Sequence, residues 1–356
     1  MLSFNEIFAD STKYCKKIKT DEYHETGKNM IVDQGQSEIA GYTDLEEGLF
    51  SDVPAIIFGD HTRIIKYVDK PFFIGADGVK VLKSKLEKAN YRYLYYALKN
   101  VKIPNTGYNR HFKWLKETIF NYPNSDRQQE IVLILNKLQS IITHLRTQLE
   151  KLDLLVKSRF VEMFGNIENM CTIADVCSII TDGTHQPPKF TTDGIPFLFV
   201  SNIATNEIVY NAEKFISEET YNVLYKRTPI EIGDIILSTV GSYGHPAIVK
   251  TNKKFLFQRH IAYLKPIPTT INSIYLHRAI LSDNVQRQID ERVKGIAQKT
   301  LNLSEIRKIV IPAPPLELQT QFANFVKQVD QSKSILQQEL TQTQTLFNSL
   351  MQEYFG

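Results

Sequence analysis

The residues best suited to chemistry stand in short, glycine-punctuated stretches. These are Gly59-Asp60-His61-Thr62-Arg63 and Gly75-Ala76-Asp77-Gly78, then Thr181-Asp182-Gly183-Thr184-His185, Gly241-Ser242-Tyr243-Gly244-His245 and Gln258-Arg259-His260. Glycine lets backbone N–H groups approach a phosphate, and Gln, Arg and His can hydrogen-bond base edges. The candidate DNA contacts are His61, Thr62, Arg63, Lys80 and Arg110, followed by Thr184, His185, Lys189, Asn202, Ser242, Tyr243, Gln258, Arg259 and Lys294. Ordinary turns between strands use the same residue types, so no single loop decides between the two readings.

Catalytic signatures are missing from the sequence. It has no GxxxxGK[ST] phosphate loop, no HExxH metal helix and no GxSxG nucleophile elbow. His185-Gln186-Pro187-Pro188-Lys189-Phe190 resembles the proline pair of amino-methyltransferases only superficially. It lacks an amide or acid before the prolines and an aromatic residue directly after them. Gly241-Ser242-Tyr243-Gly244 has the wrong spacing for a dinucleotide or S-adenosylmethionine loop. The three cysteines, Cys15, Cys171 and Cys177, form neither an even set nor a CxxC pair, and read as small buried apolar residues.

The elements that must position these loops come as a duplication. Ser158-Arg159-Phe160-Val161-Glu162-Met163-Phe164-Gly165 returns 191 residues later as Ser349-Leu350-Met351-Gln352-Glu353-Tyr354-Phe355-Gly356. The same offset pairs Pro123 with Pro314, Asp126 with Glu317 and Gln128 with Gln319. At an offset of 182, Tyr93-Leu94 and Ala97-Leu98 match Tyr275-Leu276 and Ala279-Ile280. So long a period excludes a solenoid, whose units run to about 50 residues. The first globular half is the shorter, and its opening, Met1 to Phe8, reads as a reduced form of Ile173 to Cys177.

Within each repeat the C-terminal block predicts a long helix. Ile131, Leu135, Leu138, Ile142, Leu145, Leu149, Leu152 and Val156 alternate in steps of four and three, as in a coiled-coil seam. Asp126 stands where an N-cap or first-turn acid belongs, and Gly165 where a C-terminal glycine does. The second seam is Phe322, Val326, Val329, Lys333, Leu336, Leu340, Thr343 and Phe347. There Lys333 and Thr343 break the apolar pattern and are candidates for fixing register. Two such helices in one chain pair most simply with each other, antiparallel, with a globular region preceding each. A parallel homodimer through each helix is the competing arrangement. The expected fold is α+β: mixed, strand-rich globular regions at 1–122 and 166–313, and spacer helices at 123–165 and 314–356.

The chain has 356 residues, 42% hydrophobic and 23% charged, with a formal net charge of +3. The helix segments carry +1 and −2, which leaves +4 on the globular halves. That balance permits a nucleic-acid partner without requiring one. No apolar run approaches the roughly 18 residues of a membrane span, and the N-terminus lacks the order of a signal peptide. The expected location is the cytoplasm.

Taken together and in this order, the motifs resemble the specificity subunit of a type I restriction–modification system. The duplicated proline–glutamine–long-helix–Phe-Gly block carries the resemblance. So do Gly59 to Arg63 with Pro71 to Val79, Ile180 to His185 with Gly194-Ile195-Pro196-Phe197 and Ser201-Asn202-Ile203, and Gly233-Asp234-Ile235-Ile236 with Gln258-Arg259. The resemblance implies two target-recognition domains, each reading one part of a bipartite, asymmetric double-stranded DNA site. It implies an antiparallel coiled-coil spacer and no catalysis by this chain. It further implies two modification (methyltransferase) subunits and restriction subunits as partners. S-adenosylmethionine, ATP and Mg2+ are expected on those partners and no cofactor on this chain. The alternatives are a coiled-coil adaptor binding only proteins and an enzyme with an unrecognised site.

Overall fold

The computed structural model describes residues 1–75, 77–107, 109–295 and 299–356. Ala76, within the predicted Gly75–Gly78 loop, lies outside the described residues. The chain forms two compact units, Met1–Arg146 with Gln338–Gly356, and Thr147–Gln337.

In the first unit the elements are β1 (Leu2–Ser3), α1 (Phe4–Ile7), β2 (Phe8–Asp10), β3 (Asn29–Val32), β4 (Gly41–Thr43), β5 (Ala55–Gly59), β6 (Ile65–Val68), β7 (Phe72–Ile74), β8 (Val79–Ser84), α2 (Tyr91–Lys99), α3 (Phe112–Lys116) and β9 (Ile119–Phe120), followed by α4 (Ser125–Phe164). In the second they are β10 (Met170–Thr172), α5 (Ile173–Val176), β11 (Cys177–Asp182), β12 (Ile195–Leu198), β13 (Lys214–Ile216), α6 (Glu218–Leu224), β14 (Ile235–Ser238), β15 (Pro246–Ile248), β16 (Leu256–Phe257), β17 (Ile261–Pro266), α7 (Ser273–Ile280), α8 (Asp283–Arg292), α9 (Leu303–Arg307) and β18 (Val310–Pro312), followed by α10 (Leu316–Phe355).

The duplication holds strand by strand. The order β2-β8-β5-β6 in the first unit is repeated as β11-β17-β14-β15, and β4-β3-β7 as β13-β12-β16. Each smaller sheet keeps one parallel pair, β3 with β7 and β12 with β16. The ribbon β1–β9 returns as β10–β18. The opening of the first half matches that of the second but is not reduced to the expected degree: β1, α1 and β2 repeat β10, α5 and β11, with only the strands shorter. The Glu6 carboxylate accepts from the Ser3 N–H at 2.7 Å, and that of Asp175 from the Thr172 N–H at 2.8 Å, each fixing a one-turn helix. The second half is longer partly because α6 and the turn after it stand between β13 and β14.

Both long helices run 40 residues, roughly 60 Å at about 1.5 Å per residue. The start of α4 is held by Asn124, whose Oδ1 accepts from the Arg127 N–H at 3.0 Å, so Asp126 is a first-turn acid and not the cap. Gly165 ends α4 with its N–H on the Val161 carbonyl at 2.8 Å, outside the left-handed conformation. In the first unit Ile131, Leu135 and Ile142 of α4 share a core with Phe347 and Met351 of α10. In the second, Phe160 and Phe164 of α4 meet Phe322 of α10, with ring centroids 5.6 and 5.3 Å apart. The start of each helix thus packs on the end of the other, which makes the pair antiparallel. Lys333, the cation in the seam, donates to Asp153 at 2.6 Å while its stem stays half-buried.

The matched glutamines explain part of the repeat. Buried Gln128 donates through Nε2 to the Pro123 carbonyl at 2.8 Å, and buried Gln319 to that of Pro314 at 2.9 Å. Gln319 also accepts from the Asn272 N–H at 2.8 Å, which ties α10 to the start of α7. Leaving buried amide groups unpaired costs about 1–3 kcal/mol apiece. Gln319→Leu should therefore lower the stability of the chain by about 2–4 kcal/mol, and Gln128→Leu by about 1–2 kcal/mol, in denaturant melts. Equal, sub-kilocalorie losses for the two would contradict this role.

Candidate nucleic-acid interface

In both larger sheets the loops that carry polar and basic residues gather at one end. In the first unit β5 ends and β8 begins there, since Gly59 pairs with Val79. The loop from Asp60 to Ile64 is closed by the Gly59 N–H on the Ile64 carbonyl at 2.8 Å and the Arg63 N–H on the Gly59 carbonyl at 2.7 Å. The Asp60 carboxylate accepts the Phe112 N–H at 2.7 Å and so anchors the start of α3. Gln34, beyond β3, joins the loops: its Oε1 accepts from the His61 N–H at 3.2 Å and its Nε2 donates to the Asp77 carbonyl at 3.0 Å. Gly78 lies at φ +92°, and a Cβ there would stand 2.6 Å from Cδ2 of His61.

The first-unit candidates do not share one fate. Thr62 is exposed, with its hydroxyl bonded to the Gln34 carbonyl at 2.7 Å. Arg63 sits in the left-handed region at φ +61°, its guanidinium turned back onto the Ile103 carbonyl at 3.3 Å. Lys80 pairs with Asp10 at 3.2 Å and lies 5.2 Å from the centre of the Phe112 ring. Arg110 is exposed beside the buried His111. Lys17, 2.6 Å away, holds the Asp77 carboxyl below its ordinary range, and Arg110 adds to that effect from further off.

In the second unit β11, β14 and β17 bring the loops after Asp182, after Ser238 and before Ile261 to a common end. Gly183 is required by closeness: a Cβ there would lie 2.5 Å from the Gln258 carbonyl oxygen. The Thr184 N–H reaches the Phe257 carbonyl at 2.9 Å, and the Arg259 N–H reaches that of Thr184 at 3.0 Å, so Thr184, Gln258 and Arg259 are neighbours. Exposed Arg259 donates its Nε–H to His260 Nε2 at 3.4 Å. Burial, then the Arg259 charge, holds His260 below the usual histidine range, which suits a neutral ring accepting that N–H. A cleft of about 280 Å3 opens between these residues, Thr239 and Asn302. His185 and Lys189 are exposed on the rim of a neighbouring groove of about 570 Å3.

Ser242 is exposed, while Tyr243 is half-buried and donates to Asp290 at 3.0 Å. Lys294 is exposed and its own backbone exchanges bonds with that of Thr300 at 3.0 and 2.8 Å, and the Gly241 N–H meets the Lys299 carbonyl at 3.3 Å. Asn202 stands apart from the other candidates. It is buried, accepts from the Phe199 N–H at 2.9 Å and donates to the carbonyls of Val209 and Asn211 at 2.9 and 3.3 Å. Its side chain stitches the loop after β12 and does not face the cluster.

Sequence reasoning missed Gln34 and Arg227. Arg227 follows α6, in a stretch whose sequence reads as ordinary helix, and lies over the groove through an ion pair with Asp182 at 2.6 Å. Only tertiary structure reveals it.

Burial pushes the thiols of Cys15 and Cys177 up to about 12 and also raises Cys171, so all three stay protonated at neutral pH. Among the described residues no group of His, Cys, Asp and Glu is placed to hold a metal ion. No helix among them is long and apolar enough to cross a membrane.

Arg259→Ala and Asn202→Ala should separate the two kinds of position. Asn202→Ala should cost about 2–4 kcal/mol of stability, because it strands several buried backbone groups. Arg259→Ala should leave the melting temperature within error while weakening DNA binding. Equal stability losses for the two would undo the distinction.

Comparison with known proteins accounts for this combination. The family described as type I restriction modification DNA specificity domain matches residues 4–153 and 168–344, most of the chain. The EcoR124I/EcoR124II type I restriction enzyme specificity subunit of Escherichia coli is 23% identical, over 91% of this chain and 84% of its own length. The EcoBI specificity subunit of Escherichia coli is 28% identical over 48% of this chain, an alignment that takes in 36% of that subunit. In fold, the S subunit of the type I restriction-modification system from M. genitalium superposes with a TM-score of 0.61 at 16% identity, over 99% of this chain and 95% of the other. The duplicated sheets, the paired helices and the twice-matched family model lead to one conclusion: the chain belongs to the type I restriction–modification DNA specificity family, whose subunits recognise DNA and leave catalysis to their partners.

Proposed function

We propose that each unit reads one part of a bipartite, asymmetric double-stranded DNA site with the loops at the end of its larger sheet. The carrying observation is the repetition: equivalent strand ends in two duplicated sheets each gather exposed cationic and amide-bearing loops. Two half-readers with the same frame and different loops suit a site made of two unlike parts. The antiparallel helices fix the length of DNA left unread between those parts. Their outer faces carry exposed apolar residues, among them Leu133, Leu154 and Val161 on α4 and Ile335 and Leu346 on α10. Such residues suit docking of two modification subunits, to which restriction subunits attach in turn. S-adenosylmethionine, ATP and Mg2+ then belong to those partners, and the assembly works in the cytoplasm.

The reading is tested by mapping N6-methyladenine in cells with and without the gene, then in cells carrying a lengthened spacer. Four residues inserted after Leu145, matched by four after Gln338, add about 6 Å to the paired helices and nearly preserve the apolar phase. A bipartite motif should vanish on deletion, and return with a longer unread gap and unchanged half-sequences in the insertion strain. Loss of no motif on deletion, or altered half-sequences with an unchanged gap, would refute the proposal.

A further inference from the structure

Arg227 is held in a way that an arginine serving only to attract phosphate has no need of. The Asp182 carboxylate, at the end of β11, takes Arg227 Nη2 on Oδ1 at 2.6 Å, and the Asp182 backbone carbonyl takes Nε at 3.3 Å. Its second oxygen, Oδ2, is 2.8 Å from His185 Nε2, so both oxygens are engaged and the carboxylate plane is fixed. Asp182 is largely buried, with a side-chain exposure of 18%, whereas Arg227 and His185 are each 51% exposed. The guanidinium is planar. With its Nε–Nη2 edge on Asp182, its other donor edge, formed by Nη1 and the second Nη2 hydrogen, points away from that carboxylate.

We propose that Arg227 reads a guanine in the half-site of the second unit, and that Asp182 is its positioning residue. A matched carboxylate cancels most of the charge that would draw the side chain to phosphate. It leaves intact the two-donor fork that fits O6 and N7 of guanine in the major groove. A carboxylate at a DNA-facing surface repels the backbone, and orienting a base-reading donor offsets that cost. The turn that carries Arg227 is also tied down by hydrogen bonds. The turn after α6 is closed by the Thr228 N–H on the Tyr225 carbonyl at 3.0 Å, and Tyr225 donates its hydroxyl to the Ile230 carbonyl at 3.2 Å. That segment separates β13 from β14, whereas among the described residues no helix separates β4 from β5. Arg227 therefore gives the second unit a contact without a counterpart in the first, as two unlike half-sites require.

This inference rests on the proposed two-part reading and is tested inside it. Wild-type, Arg227→Ala, Arg227→Lys and Asp182→Asn chains are assembled with their modification subunits. The methylated motif is then determined base by base, beside melting temperatures and the salt dependence of binding to the wild-type site. The expected result is that one G·C position in one half-site loses roughly tenfold or more of its preference in all three variants. The other half-site should stay unchanged and the melting temperatures close to wild type. Asp182→Asn should relax that same position, because the amide no longer fixes the fork. A uniform fall across all sequences, with the salt slope reduced by about one, would make Arg227 a phosphate contact and overturn the proposal. So would a wild-type site with no G·C pair at the affected position, or a variant that keeps full preference. If the wild-type assembly recognised no bipartite site, the two-part reading itself would have failed, a result distinct from these.

Discussion

One contact, made twice, holds the architecture together: the tyrosine that receives the end of a long helix. Phe164 at the end of α4 packs edge-on against Tyr275 with ring centroids 4.8 Å apart, and Phe355 at the end of α10 lies 5.2 Å from Tyr93. Each tyrosine also donates its hydroxyl to the strand that leads into the other long helix or just beyond it. Tyr275 reaches the Pro312 carbonyl and Tyr93 that of Asn121, both at 2.7 Å. Each globular half thereby fastens the departure of its own helix and the arrival of the other. Each clasp joins a tyrosine of one repeat to the helix end of the other. Burying such rings is worth about 1.5–3 kcal/mol apiece, and the phenol hydrogen bonds give the contact its direction.

The clasp also separates what has to stay constant from what is free to vary. Sheets, capping residues and helix ends repeat closely, down to Asn90 and Asn272, which cap α2 and α7 by accepting from the N–H of Tyr93 and Tyr275 at 3.1 and 3.3 Å. The loops at the sheet ends do not repeat. In the first unit Gln34 joins them, whereas in the second the Asp182 carboxylate engages the side chains of Arg227 and His185. A constant frame beneath loops that differ is what the proposed reading of two unlike half-sites requires.

Much of the frame was legible in the sequence, because it depends on periodicity and repetition. The apolar steps from Ile131 to Leu145 and from Phe322 to Val329 identify the helices. The match of Tyr93 with Tyr275 and of Gln128 with Gln319 picks out residues whose hydrogen bonds prove equivalent. Even the break at Lys333 has its reason in Asp153. The strand orders were not legible, since short strands of two to six residues carry no pattern that names their neighbours. The loop cluster was legible only in part. Arg259, His185 and Arg110 are exposed where basic loop residues were expected. Arg63 is turned inward by a left-handed backbone, and Asn202 resembles a base reader yet spends every polar group on its own loop. Arg227 and Gln34 escaped notice because their importance comes from partners 45 and 27 residues away.

The central claim is that the two units are independent readers arranged as twins. The most direct measurement is the methylated motif of an assembly whose specificity chain carries residues 170–312 in place of residues 2–121 as well as in their own place. Twin readers on an antiparallel helix pair predict an inverted repeat of a single half-sequence, separated by the original gap. A folded, assembled chain that still marked the original asymmetric site would contradict the account.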